Sequence, residues 1–281
     1  DLMTVLDAAA EDSRIKGIAI EMGDLSCGMA SIAELKQYLE DFKKSGKFVY
    51  AYSGNYSQKN YYLATAADSI FLNPQGTLDF KGLSSASMFY KGILDKLGVE
   101  MQIIKVGAYK SFTEQYSSDS MSVENRAQSE LLVNSIWKTV LEGISNARNL
   151  SVEVLNQYAD DLLYFDYPNE LKEKGMIDEV CYRNDFLRKV ESRMGVSSPV
   201  FVKYKDYLNE LKGSEVSKML MAGDKIAVVF AEGDIDNGTN EGIRSDKFET
   251  MLWDIADDES IRAVVLRVNS PGGSAYGAEQ I

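Results

Sequence analysis

The sequence contains no histidine among its 281 residues. Without an imidazole, the chain by itself builds neither a Ser-His-Asp or Cys-His catalytic site nor a histidine-ligated metal centre. Any hydrolytic chemistry therefore needs another general base. Lysine is the obvious candidate, because a lysine that loses solvation in a partly apolar site accepts a proton near neutral pH.

Cysteine is scarce, and long apolar runs are missing. The two cysteines, Cys27 and Cys181, allow at most one disulfide and no zinc cluster, and we expect both to be buried free thiols. No window reaches the roughly 18 consecutive apolar residues of a membrane-spanning helix, and no signal peptide opens the sequence. We therefore expect any membrane anchor or export signal to lie outside this chain.

Positive charge is in the minority. The sequence has 30 Lys and Arg against 43 Asp and Glu, which gives a net charge of −13 and a pI near 4.6. A nucleic-acid partner requires a basic face, so the charge balance argues against such a partner. The hydrophobic share of 45% is enough for the core of one large or two ordinary domains.

Short apolar segments alternate with amphipathic helical patterns along the chain. The segments Gly17–Met22, Phe48–Tyr52 and Ser69–Leu72 are predicted strands, and Ser85–Phe89 and Glu100–Val106 are two further predictions. This alternation predicts an α/β fold with mostly parallel sheets and surrounding helices.

One stretch occurs twice. Asp12–Met22 aligns without gaps on Asp258–Val268, an offset of 246 residues. The later copy runs into a Ser-Pro-Gly-Gly loop at Ser270–Gly273, and the earlier copy has Asp24–Gly28 instead. Because glycine N–H groups can approach a ligand closely, the later loop is a candidate oxyanion cradle and the earlier one a degraded form of it.

The repeat predicts the domain organisation. We predict that residues 1–205 form a first repeat, which carries the candidate general-base lysine, Lys110. Residues 206–224 are the predicted connector, and residues 225–281 the predicted beginning of a second repeat.

Lys110 lies in the loop Gly107–Ser111, directly after the predicted strand Glu100–Val106. Ligands of α/β folds gather where strands end. Tyr109 and Phe112 make the surroundings of the lysine partly apolar, which favours a general-base role. A solvated loop lysine is the alternative that the residues alone leave open.

Four blocks of sequence resemble the signal peptide peptidase A family, also called the protease IV family, in its long two-repeat form. They occur in the family's order and are VGAYKSFTE (Val106–Glu114), NYSQKNYYLATAADSIFLNPQG (Asn55–Gly76), GMIDEV (Gly175–Val180) and LRVNSPGGS (Leu266–Ser274). The resemblance implies a Clp protease/crotonase-like fold with repeated β-β-α units.

The resemblance also implies an activity. It implies a serine endopeptidase with a Ser-Lys dyad that degrades cleaved signal peptides, extended and apolar, at the periplasmic side of the bacterial inner membrane. Membrane association through a segment outside this chain and a homo-oligomer, a tetramer in the family, are further implications. The resemblance implies neither a metal nor an organic cofactor.

The site residues follow from the matching motifs. By resemblance, Lys110 is the general base and Gly272, Gly273 and Ser274 form the oxyanion hole. The nucleophilic serine of the family falls, in the first repeat, at Gln58, which cannot attack a carbonyl. With the repeat offset of 246, its counterpart lies near residue 304, so we expect the nucleophile outside this chain and the fragment itself to be inactive.

Other roles stay open. Tyr109 and Ser111 flank Lys110 and orient it, or they only pack or face solvent. Glu114 is close enough in sequence to pair with Lys110, and such a pair would favour the charged ammonium and oppose general-base action. Ser270 and Ser274 are alternative nucleophiles within the chain.

Two other functions also fit the fold. A crotonase-like acyl-CoA enzyme would use carboxylates on a thioester and bind adenine in a pocket, and a non-catalytic oligomeric scaffold would only associate.

Overall fold

The structure, a computed structural model, describes residues 2–195, 200–221, 224–236 and 242–281. The chain divides into two compact units, Asp1–Tyr204 and Lys205–Ile281. Every strand pair in the described residues is parallel, and helices separate most of the strands. The predicted α/β class with parallel strands is confirmed.

The first unit begins with three strands that alternate with helices, and a series of helices then precedes its last strand and final helix. In chain order it contains α1 Leu2–Glu11, β1 Gly17–Glu21, α2 Met29–Lys43, β2 Phe48–Ser53, α3 Gln58–Ala64, β3 Ser69–Leu72, α4 Lys91–Lys96, α5 Glu114–Ser117, α6 Val123–Arg148, α7 Val152–Asp160, the 3₁₀ turn Leu163–Phe165, α8 Pro168–Glu173, β4 Glu179–Val180 and α9 Arg183–Met194. The strands form one parallel sheet in the order β1-β2-β3-β4.

The centre of this sheet is buried, which explains why its strands read as apolar runs rather than as alternating patterns. Five of the six residues of β2 and three of the four of β3 are buried. From one side, α2 contributes the buried side chains of Ile32, Leu39 and Phe42.

Two aspartates hold the starts of neighbouring strands together. Asp68 accepts a hydrogen bond of 2.8 Å from the Val49 N–H, and Asp178 accepts one of 2.7 Å from the Ile70 N–H. Arg148, at the end of α6, donates to both carboxylate oxygens of Asp178 at 2.9 and 3.0 Å. The last turn of α6 is thereby fixed to the sheet.

The second unit begins one residue after α10 starts. Its elements are α10 Tyr204–Met221, β5 Lys225–Glu232, β6 Ile235–Asp236, β7 Ile243–Arg244, α11 Ser245–Asp257, β8 Ile261–Asn269 and α12 Ala275–Gln280. Most of the residues that were predicted as a connector, 206–224, thus lie in α10.

The two repeats share their element spacing. Met29 begins α2 and Ala275 begins α12, a separation of 246 residues. Glu11 ends α1 and Asp257 ends α11, which is the same separation. The offset of 246 residues read from the sequence therefore also relates the end of α1 to the end of α11 and the start of α2 to the start of α12.

The two further predicted strands are wrong. Ser85–Phe89 and Glu100–Val106 form neither strand nor helix, and large apolar side chains of the second segment are exposed, with Ile104 98% and Val106 87% accessible. A β-strand is stable only beside another strand, and the described residues offer these segments none.

Candidate functional site

The loop of Lys110 lies between the irregular segment 99–106 and helix α5. Gly107 has a φ of +89°, and Lys110 itself is exposed. Tyr109 and Phe112, on either side of the lysine, are 63% and 76% exposed. The predicted apolar neighbours are therefore present, but in this chain they face outward.

An open pocket of about 540 Å³ contains Lys110. Its walls include the apolar side chains of Ile104, Val106, Tyr109 and Phe112. No carboxylate forms an ion pair with Lys110 within the described residues. The Lys110 amine therefore lies open to solvent beside apolar side chains.

Glu114, four residues after the lysine, is buried at 4% exposure. Its carboxylate accepts hydrogen bonds from the Ser122 hydroxyl at 2.6 Å, the Ser122 N–H at 3.2 Å and the Asn125 amide at 2.9 Å. Lys105 is its ion-pair partner, with Nζ 3.9 Å from Oε1. The side-chain hydrogen bond from Ser122 is the main cause that lowers the pKa of the Glu114 carboxyl. Glu114 is thus occupied elsewhere and is not paired with Lys110.

Ser122, Asn125 and Lys105 carry no motif that predicts a place beside the Lys110 loop. The one available signal was Ser122, a serine directly before a helical pattern, which is typical of an N-cap. Its hydroxyl indeed accepts the Asn125 N–H at 3.1 Å while donating to Glu114.

The glycine loop follows β8 in the second unit and bonds to β6. Ile235 donates its N–H to the Gly272 carbonyl at 2.9 Å and accepts the Ser274 N–H at 2.8 Å. The Gly272 N–H donates to the Ser270 hydroxyl at 3.1 Å. Of the three predicted oxyanion donors, Gly273 alone has an N–H with no acceptor among the described residues.

Gly273 also requires glycine for its shape. Its φ is +155°, and a Cβ atom built there would lie 2.2 Å from the Ile235 oxygen. Gly272 has a φ of +107° but open space around it. The two glycines therefore serve different purposes: Gly273 allows close backbone packing, and Gly272 allows the turn.

Gln58, at the position equivalent to the expected nucleophile, is bonded to backbone. Its Oε1 accepts the N–H groups of Lys81 and Gly82, both at 3.1 Å, and its Nε2 donates to the Gly82 carbonyl at 3.1 Å. Gln58 thus fastens residues 81–82 to the start of α3.

Two features are absent from the described residues. In those parts of the chain no group of three or more Cys, Asp or Glu is arranged to hold a metal ion. Among the described helices, none combines the length and the apolar character needed to cross a membrane.

Comparisons with known proteins agree with the sequence motifs. The family model for peptidase family S49 matches residues 41–197, which is more than half of the chain. Protease 4 of Haemophilus influenzae is 33% identical over 100% of this chain and 47% of its own length. A putative signal peptide peptidase SppA of Enterococcus faecium is 25% identical over 81% of this chain and 63% of its own length.

The chain spans about half the length of the first of these relatives. Among solved structures, the ClpP protease catalytic domain of Plasmodium falciparum is 14% identical, with a TM-score of 0.37 over 72% of this chain and 81% of that one. The family match over residues 41–197, together with the motifs quoted above, shows that the chain belongs to peptidase family S49.

Proposed function

We propose that this chain is part of a serine endopeptidase that uses a Ser-Lys dyad, with Lys110 as the general base. The observation that carries the proposal is the placement of Lys110 in an apolar pocket without a carboxylate partner, while the nearest acid along the chain, Glu114, is bonded to other groups. A lysine paired with a carboxylate would hold its proton too tightly to act as a base.

The roles divide between the two repeats. The Lys110 amine takes the proton from a serine hydroxyl in the segment expected beyond residue 281, and the resulting oxygen attacks the peptide carbonyl. The negative charge that develops on the carbonyl oxygen is stabilised by backbone N–H groups of the glycine loop. Gly273 supplies the N–H that has no acceptor among the described residues, and Gly272 and Ser274 contribute when their present hydrogen bonds break.

The substrate that fits this pocket is an extended apolar peptide. A cleaved signal peptide has an apolar stretch of about 7–15 residues, which matches the apolar pocket walls. The exposed side chains of Ile104, Val106 and Phe112 also favour an assembled state, because assembly would remove them from water. We therefore propose that the protein is a homo-oligomer at the periplasmic side of the bacterial inner membrane. It would associate with the membrane through a segment outside this chain.

The test is Lys110→Ala in a protein that contains this chain and continues past residue 281. Loss of a general base lowers kcat/KM for an apolar peptide by about 100- to 10,000-fold. Lys138→Ala is the matched control, because Lys138 is an exposed lysine of α6 and its removal leaves the pocket intact. Unchanged peptide cleavage by the Lys110 variant would refute the dyad. Thioester turnover by the unmodified protein would favour the acyl-CoA alternative.

A further inference from the structure

Glu114 is a charged side chain buried beside the Lys110 loop. It begins α5, and only 4% of its surface is accessible. A buried carboxylate is costly unless hydrogen bonds and charges compensate it, so its partners indicate what it stabilises. Those partners lie both before the loop and after it in the chain.

On one side, the carboxylate is bonded to the start of α6. Ser122 is the N-cap of this 26-residue helix, and both its N–H and its hydroxyl donate to Glu114. The Asn125 amide donates to the same carboxylate from the first turn. The N-terminus of a helix favours a negative charge, which adds to these hydrogen bonds.

On the other side, Glu114 is connected to the loop. Its own N–H donates to the Ser111 carbonyl, the residue after Lys110, at 3.0 Å. The Lys105 ammonium lies 3.9 Å from its carboxylate. Glu114 therefore contacts both ends of the segment that carries Lys110.

Other restraints on this segment are few. In the described part of the chain, no backbone–backbone hydrogen bond connects residues 100–110 with other residues, although the segment contains a turn of its own at residues 108–109. Most of the side chains in this segment are exposed as well. The bonds of Glu114 are consequently the main described connection between the lysine loop and the long helix α6.

We propose that Glu114 is a positioning residue for Lys110: its carboxylate fastens the lysine loop to the N-terminus of α6 and so holds the amine where the peptidase reaction needs it. The inference rests on the proposed role of Lys110 as the general base. Glu114 also stays away from Lys110 because Ser122 and Asn125 occupy its oxygens. Loss of those donors would release a carboxylate four residues from the base.

The experiment compares Glu114→Gln with Asp178→Asn in the protein that continues past residue 281. Both changes neutralise a carboxylate that accepts a backbone N–H, but Asp178 lies between Arg148 and Ile70, outside the lysine loop. The readouts are the melting temperature and the pH profile of kcat/KM for an apolar peptide.

We expect Glu114→Gln to lower kcat/KM at neutral pH by at least about tenfold, with KM little changed, since the loss is one of base positioning. The acid limb of its kcat/KM profile moves to higher pH, because a lysine that is no longer held against its apolar neighbours in the assembled protein is fully hydrated and keeps its proton. Asp178→Asn lowers the melting temperature without moving that limb.

If Glu114→Gln lowers the melting temperature and leaves the acid limb in place, as the control does, Glu114 is merely structural and the inference is wrong. Should that variant fail to fold, Ser122→Ala removes one donor to the same carboxylate, and an unmoved acid limb in that variant overturns the inference equally. A Lys110→Ala protein with full activity would instead refute the proposed function. The two failures are therefore distinguishable.

Discussion

Replacing Arg148 by Met should show how strongly burial increases the contribution of an ion pair to the free energy of unfolding of this protein. Arg148 donates to both Asp178 oxygens at 2.9 and 3.0 Å and to the Gly175 carbonyl at 2.9 Å. The arginine side chain is 11% exposed and the Asp178 side chain 37%. Met keeps much of the apolar packing of the arginine stem but leaves Asp178 with the Ile70 N–H as its remaining described partner.

The expected cost follows from that burial. Removing one member of a fully buried pair costs about 3–5 kcal/mol, because the other charge is left uncompensated. Since water still reaches about a third of Asp178, we expect less, about 2–3 kcal/mol. In a unit of 204 residues this corresponds to a decrease in the melting temperature of about 4–12 °C.

The control is a second arginine–carboxylate pair with similar geometry but high exposure. Arg183 donates to both oxygens of Glu21 at 2.5 and 2.7 Å, and the side chains are 55% and 44% exposed. Arg183→Met should cost less than about 1 kcal/mol. Urea unfolding of the two variants and of the parent chain gives both free energies of unfolding. Equal costs for Arg148→Met and Arg183→Met would refute the argument from burial.

Two further predictions concern the glycine loop and the thiols. In urea unfolding, Gly273→Ala should destabilise the chain by about 1–3 kcal/mol more than Gly272→Ala does. The reason is that a Cβ at residue 273 would lie 2.2 Å from the Ile235 oxygen, whereas a Cβ at residue 272 has no atom within 4 Å. Equal losses of stability would contradict the packing role assigned to Gly273. At pH 8 a thiol reagent should label the exposed Cys27 at once and Cys181 only after unfolding, because burial covers the Cys181 thiol and raises its pKa. Mass spectrometry counts the adducts, and two rapidly formed adducts would contradict this prediction.

The expectation of two buried thiols was half right. Both cysteines are free, but Cys27 is exposed and Cys181 is buried. Cys181 follows β4 directly, where the sheet and α9 cover it, and it packs in a cluster with Phe71 and Phe186. Cys27 lies in the irregular loop before α2, and no local pattern separates a covered loop from an open one.

Features that depend on neighbours along the chain could be predicted from the residues alone. The strands at Gly17, Phe48 and Ser69 were predictable because strands of a parallel sheet are short runs rich in apolar residues, and they begin where the pattern places them. The repeat offset of 246 and the glycine loop were likewise visible, since each is a matter of residue order.

Strand pairing and the partners of charged groups depend instead on contacts between distant parts of the chain. Glu100–Val106 has the composition of a strand, but a strand also needs a partner, and the described residues provide none. The carboxylate of Glu114 was free in the sequence to pair with Lys110, and only the fold brings Ser122 and Asn125 to its oxygens. Which partner a charged group takes depends on distances and burial in three dimensions, and here these bring the start of α6, rather than Lys110, to the Glu114 carboxylate.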